Sequence, residues 1–455
     1  MDVTEPAALD AEELLAAYAA KKLNPLEALQ AVTERIARRN PEINAFAVMN
    51  PRALNAARAS ALRWAEGKPL GALDGVPVTV KDLIDVAGLP TRRGSKATDA
   101  TPAHQDAPLV KALRAAGAVI IGKTATTEFG WKTPGDSPLT GITRNPWNTT
   151  HTPGGSSSGA AAAAASFFGP LHVGTDGGGS IRIPAAWSGV VGVKPSFGRV
   201  PQWPLGAFGH VAVAGPLARS VRDAALLLSV LAGHDAADPF SLPEPKRDFR
   251  AGIEDGVSGL RIGVLQNPGF PAPVDADGLQ ALDDARRALE GQGATVVEIA
   301  PQLPDASAVF PKLWGVALAR VVDTLAEDKR ALLDPGLLAV AEQFRNTTAL
   351  ELVQAEALRL EAAHAMAALE VDALICPAVP HCAPLAAAPV PDPVAALNQN
   401  WAPWAYLFSL TRQPAMTVPM GVNDAGLPTA VQIAAPLYCD DMMLRVARAV
   451  ERAVG

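Results

Sequence analysis

PGGSSSGAAAAAASFFGPLHVGTDGGGSIRIPAA, residues 153–186, is the stretch on which the reading of this chain turns. It holds two glycine-rich turns, residues 154–159 and 177–180, each delivering serine, with an alanine run between them. Glycine lets the backbone take positive φ and lets another group come close to the main chain. Three glycines before Ser180 leave the N–H groups of Gly177, Gly178, Gly179 and Ser180 free to converge on one point, as an oxyanion site requires. The alanines 160–165 read as a buried helix that returns the chain to the second turn. An exposed linker is excluded, because glycine–serine linkers do not carry Phe167, Phe168, Leu171 and Val173.

A serine nucleophile needs a base, and no histidine makes a compelling partner. The best candidate is Lys81, which closes VPVTVK (76–81), a β-branched run that predicts a buried strand. Desolvation there lowers a lysine's pKa and makes the neutral amine available as a base. Asp176 and Arg182 flank Ser180 closely enough to brace the second turn as an ion pair.

Together, GVPVTVKD (75–82), GGSSSG (154–159) and DGGGSIRIPA (176–185) resemble the amidase signature family of serine hydrolases. The spacings agree as well: 75 positions from Lys81 to Ser156 (156 − 81) and 24 from Ser156 to Ser180 (180 − 156). Segments 192–200, 413–419 and 426–433 are similar to later family segments, so the resemblance spans most of the chain. It implies an α/β fold: a single large amidase-signature domain with a mixed, twisted central sheet covered by helices on both faces. Strands alternating with helices along the chain point the same way. The resemblance further implies a Ser-(cis)Ser-Lys triad of Ser180, Ser156 and Lys81, with a cis peptide before Ser156. Gly177, Gly178, Gly179 and Ser180 would form the oxyanion hole, braced by Ser157, Asp176 and Arg182. No cofactor and no metal are implied. The sequence departs from the family pattern at Ser158, which replaces a glycine, and at Gly177, where threonine or isoleucine is frequent. The second change loosens the turn or admits a bulkier acyl group.

Composition bounds the remaining possibilities. At 455 residues and 49% hydrophobic, the chain can bury a large core in one to three domains. A net charge of −7 without a basic stripe argues against nucleic acid as a partner. Three cysteines (Cys376, Cys382 and Cys439) are too few for a disulfide framework, so a reducing cytoplasm is the default. Cys376, His381 and Cys382 lie near one another, but the intervening prolines and the lack of a fourth ligand argue against metal. No apolar run approaches the ~18 residues of a membrane span, and the acidic N-terminus carries no signal segment.

The element reading divides the domain into an N-terminal helical arm (1–66), a core with the triad (67–240), an appended α/β and helical subregion (247–369) and a core-completing C-terminal segment (370–455). Helices are expected over 10–22, 24–36, 51–66, 107–116, 221–232, 276–290, 311–369 and 440–454. Strands are expected over 43–49, 76–81, 117–122, 259–265, 294–299 and 372–377, and residues 188–200 read as a strand and turn. Two motifs mislead. Residues 117–124 fit the phosphate-loop pattern GxxxxGK[ST], but the intervening AVII is itself a strand, so its N–H groups are committed to a sheet. Residues 155–159 fit GxSxG with Ser157 as nucleophile, but an irregular loop precedes them where that elbow needs a strand.

Substrate choice is carried by the pocket, for which family relatives suggest residues 124–136 and 398–413: Glu128, Phe129, Trp131, Trp401, Trp404 and Tyr406. Trp401 and Trp404, three apart, also fit a plain helix core. The expected substrate is a small-molecule amide or carbamate, with ester cleavage alongside. The alternative is the glutamine-hydrolysing A subunit of a tRNA-dependent amidotransferase, which works with partner subunits. Homodimers occur in the family, and the N-terminal helices offer a surface for one.

Overall fold

The computed structural model describes residues 5–206, 208–209, 211–244, 246–388 and 402–454. Its N-terminal arm starts where the sequence supplies reciprocal caps. Asp10 accepts from the Glu13 N–H while Glu13 reaches back to the Asp10 N–H, opening the helix Ala11–Ala19. Asn24 and Glu27 do the same for the helix Pro25–Ile43, with Pro25 in its first turn. That helix continues through Pro41 and ends only where Asn44 turns left-handed, so Ile43 closes a helix and does not begin a strand.

The strands, in chain order, are β1 (Phe46–Met49), β2 (Pro77–Lys81), β3 (Val119–Thr124), β4 (Asp136–Ser137), β5 (Gly141–Ile142), β6 (Leu171–Asp176), β7 (Val191–Lys194), β8 (Val213–Ala218), β9 (Arg261–Val264), β10 (Thr295–Glu298), β11 (Ala373–Pro377), β12 (Ala415–Val422) and β13 (Pro428–Ala434). β4 and β5 form a small ribbon. The others make one mixed eleven-stranded sheet in the order β1-β3-β2-β6-β8-β7-β12-β13-β11-β9-β10. β2, β3 and β6 run parallel, as do β9, β10 and β11, while β7, β8, β12 and β13 pair antiparallel. All four segments of the chain contribute strands, so none stands apart as a separate domain.

Alternation along the central strands divides the core between two faces. Met416 and Val418 of β12, with Val431 and Ile433 of β13, pack in one cluster with the helices Val221–Leu231, Ala276–Gly291 and Asp440–Val454. Ala415 and Ala434 point the other way, into a second cluster with the helices Ala306–Asp323, Pro335–Phe344, Ala349–Ala367 and Pro403–Leu410. The long helical stretch expected over 311–369 is therefore several helices, with the short Glu327–Arg330 among them. The helices Ser158–Ala165 and Arg182–Ser188 also lie on this second face, their residues packing against Leu217.

Several elements lie outside the sequence expectations, among them β4, β5, β6, β8 and the helix Arg182–Ser188. β8 contains Gly215-Pro216, which reads as a turn. Gly215 is required because the Val193 carbonyl of β7 passes so close that a β-carbon would sit 2.2 Å from it. Ser188, expected to open a strand, ends the helix Arg182–Ser188. Residues 119–124 are a fully buried strand, which rules out a phosphate loop there. Among the described residues no helix is long and apolar enough to cross a membrane.

Candidate active site

β2 and β6 are parallel neighbours with Val80 opposite Val173, so their C-terminal ends open on the same edge of the sheet. Crevices at such ends are where open α/β sheets bind ligands. β2 delivers Lys81 there, and β6 delivers Thr175 and Asp176 just before the glycine turn. The helix Ser158–Ala165 packs on β2, β3 and β6 through its small side chains, which brings its N-terminal serines to the same edge.

Lys81 is fully buried. Its Nζ lies 2.7 Å from Ser156 Oγ, 2.9 Å from Ser157 Oγ and 3.0 Å from Thr175 Oγ1. Burial holds its pKa well below the ordinary 10.5, with the Asp176 carboxylate pulling weakly the other way. The Gly155–Ser156 peptide is cis. Ser157 is buried, donates to the Thr175 carbonyl (3.2 Å) and accepts from the Thr175 N–H (3.3 Å). It faces the lysine from within the core, unlike an exposed elbow serine. Thr175 was missed from sequence. It touches Lys81 directly, and its only signal was its place immediately before Asp176.

Ser180 is partly exposed and, with Ser156, lines a cavity of about 330 Å³. No direct hydrogen bond joins the two hydroxyls, and catalytic contacts often close only when substrate binds. The turn around Ser180 is fastened by Asp176. Its carboxylate accepts from the N–H groups of Gly179 (2.7 Å) and Ile181 (3.2 Å), and from Arg182 Nε and Nη2 at 2.9 Å each. Those partners hold the Asp176 carboxyl down to about 2 despite its burial. Arg182 is itself fully buried and donates further to Gln432, Ala405 and Ser409, so it positions the turn and does not reach the cavity. The oxyanion expectation needs one correction: the Gly179 N–H is already bound by Asp176. Among the described residues, the N–H groups of Gly177, Gly178 and Ser180 have no acceptor, so three donors remain. Gly179, at φ +111°, makes the reversal that separates them.

The pocket residues fall differently from expectation. Phe129 lines the cavity. Glu128 does not: its buried carboxylate accepts from Ser95 Oγ and the Asp334 N–H, both at 2.6 Å, and so braces the wall from behind. Trp131 is buried outside the cavity, where its carbonyl accepts from Trp314 Nε1. Trp404 is helix core, and Tyr406 stacks on Phe310 with centroids 4.0 Å apart. Their helix turns both rings toward the protein interior. Trp401 lies outside the described residues. The wall instead draws on Trp203, Leu205 and Phe208 of one loop and on Trp314, Val321 and Leu325 at one end of the helical subregion. Phe208 and Trp314 stack face to face at 3.3 Å. Trp314 also answers the departure at Gly177, where a β-carbon would fall 2.8 Å from its ring. Indole fills the room a threonine would take, so the glycine does not widen the pocket.

The misleading lysine and cysteines have structural partners. Lys123 pairs with Asp82 at 2.8 Å in the core. Cys376 is buried against Gln432, while Cys382 donates to Asp277 beside Asp275, and burial pushes its thiol up to about 12. Asp275 caps the helix Ala276–Gly291, and Asn423 donates to Asp277.

A model of the amidase family matches residues 27–444. The chain is 36% identical to an acylamidase of Rhodococcus erythropolis over 96% of its length and 94% of the relative's. It is 35% identical to the glutamyl-tRNA(Gln) amidotransferase A subunit of Pseudomonas fluorescens (strain SBW25), covering 96% and 95%. The solved structure of a bacterial aryl acylamidase of the amidase signature enzymes superposes with a TM-score of 0.89 at 28% identity, covering 98% of this chain and 96% of that one. The chain belongs to the amidase signature family, whose enzymes hydrolyse amides.

Proposed function

We propose that this protein is a free-standing hydrolase of small carboxylic amides, with carbamates and esters as side substrates, working through an acyl-enzyme on Ser180. The observation that carries the reading is the buried, depressed-pKa Lys81 bonded to Ser156 on the wall that also presents Ser180. A neutral amine has two N–H donors and one lone pair, yet Lys81 has three hydroxyl neighbours. Ser157 already gives its proton to Thr175 O, so its oxygen accepts. The lone pair is left for Ser156 or Thr175; both line the cavity, and Ser156 lies nearer the amine, 2.7 Å against 3.0 Å. Ser180 Oγ attacks the carbonyl as its proton passes to Ser156 and the Ser156 proton passes to Lys81. The N–H groups of Gly177, Gly178 and Ser180 hold the oxyanion, each donor being worth about 3 kcal/mol in the transition state. Lys81, now charged, returns a proton through Ser156 to the leaving nitrogen. Water then attacks the ester by the same route and frees Ser180.

The test is intact-protein mass spectrometry after treatment with a fluorophosphonate, followed by peptide mapping. The expected adduct is on Ser180 and is lost in Lys81→Ala; an adduct on Ser157 instead would sink the mechanism. A second reading, the glutamine-hydrolysing component of a tRNA-dependent amidotransferase, is favoured by the similarity to the Pseudomonas protein. The apolar wall of Trp203, Leu205, Phe208 and Trp314 speaks for a less polar substrate than glutamine. Activity of the purified single chain on anilides, without co-purifying partners, separates the two.

A further inference from the structure

Asp85, Arg93 and Arg320 are the charged side chains of the cavity wall, and none has a task in the chemistry above; Arg93 is the half-buried cation among them and Arg320 is exposed. Arg93 lies beside Phe129, whose N–H donates to the Arg93 carbonyl at 2.8 Å. Both residues hold left-handed backbone, φ 55° and 49°, a region that non-glycine residues avoid unless their surroundings impose it. The surroundings do so here. The Arg93 N–H is tied to the Asp82 carbonyl, and Gly94 presses so close to the neighbouring loop that a β-carbon would meet Thr126 O at 2.5 Å. This backbone sets the Arg93 side chain in the cavity wall. Among the described residues its guanidinium has no hydrogen bond or ion pair. Arg182 and Arg199, in contrast, are each tied to carboxylates. Of the charges nearby, Lys123 is paired with Asp82, and Asp85 lines the same wall without pairing to Arg93.

The position of Arg93 relates it to one half of the substrate. The proton returning to the leaving nitrogen comes from Ser156, so the amine half lies on the Ser156 side. Gly130 adjoins that serine: a β-carbon on it would lie 3.2 Å from both Ser156 Oγ and Leu83 Cδ1. Phe129 and then Arg93 continue the wall from there. The other side, beside the oxyanion turn, is Gly177, Phe208 and Trp314, which carry no charge, while the exposed Arg320 lines the cavity further along the Trp314 helix. Resting on the amidase reading, we infer that Arg93 anchors a carboxylate carried on the amine half of the substrate, whose acyl half is apolar. A guanidinium fork matches a carboxylate in two parallel hydrogen bonds, and a partly buried one gains most from such a partner.

The test compares kcat/KM for 4-acetamidobenzoate and 4-methylacetanilide, which share an acyl group and differ in charge on the amine half. Dividing one by the other within each variant cancels changes common to both. Arg93→Gln is expected to lower that ratio roughly 10- to 100-fold, the worth of a charged hydrogen-bond pair. Arg93→Lys should retain part of it, and Asp85→Asn, which removes a repelling charge, should raise it. An unchanged ratio in a folded Arg93→Gln protein overturns the inference. So does a loss confined to succinanilate against butyranilide, which would place the anion on the acyl half. If none of these compounds is cleaved, calorimetric titration of 4-acetamidobenzoate into Ser180→Ala decides: binding abolished by adding Arg93→Gln supports the anchor, and no binding overturns it. The Ser180 adduct tests the amidase reading separately, so a failure of either is told apart from a failure of the other.

Discussion

Lys81 has three hydroxyls around its nitrogen and no carboxylate touching it, an arrangement that favours the neutral amine. The sign of the pH dependence follows. Its folded pKa lies well below 10.5, so kcat/KM should rise with pH as Lys81 loses its proton and reach a plateau well short of pH 10.5. That acid limb should vanish in the residual rate of Lys81→Ala, and a limb that persists there would assign the titration to another group. Lys81→Ala itself should cost about 10²- to 10⁴-fold in kcat, the usual worth of a general base, with the circular dichroism spectrum preserved. Thr175→Val removes one neutral hydrogen bond from the amine and should lower kcat about 2- to 10-fold, read in the same assay. Lys81 was legible in the sequence because a β-branched run ends on it. Thr175 and Arg93 were not, because neither residue type nor spacing marks a side chain whose role comes from which loop it faces.

The turn carrying Ser180 is fixed from one side by Asp176 and from the other by aromatic rings. Asp176 and Arg182 are both fully buried, so removing one partner leaves an uncompensated charge in the core. Asp176→Ala should therefore destabilise the fold by roughly 3–5 kcal/mol, measurable by denaturant unfolding, and abolish activity in the fraction that remains folded. On the aromatic side, Trp314 occupies the space in front of Gly177. Trp314→Ala should shift preference toward longer or branched acyl groups, seen as a rising ratio of kcat/KM for hexanoyl over acetyl anilides. Both glycine turns and the Asp176–Arg182 pair could be read from the sequence, since local spacing encodes them. The pocket could not. Trp404 and Tyr406 had the right chemistry, but their helix turns both rings into the core, while the wall was built by Phe208 and Trp314 from segments more than a hundred residues apart.

The sheet is closed in the middle by the end of the chain. β12 and β13 sit between β7 and β11, linking the strands that carry the candidate site to the later ones. A chain stopped at residue 414 would lack that bridge and should fail to fold, whereas a separable C-terminal segment would leave a cooperative melt behind. The succession of strands and helices that defines the α/β class was legible at this scale. The order of strands was not, because β12 finds its neighbour β7 more than two hundred residues upstream. The division of labour around the cavity has a further consequence. The nucleophile, its relay and the oxyanion donors all lie between residues 81 and 180, whereas Trp314, Val321 and Leu325 come from the helix Ala306–Asp323 and the residues just beyond it. Mutational libraries restricted to residues 306–325 could therefore retune which amides are accepted while the bond-breaking apparatus is inherited intact, a modularity that suits this scaffold to diversification and to engineering.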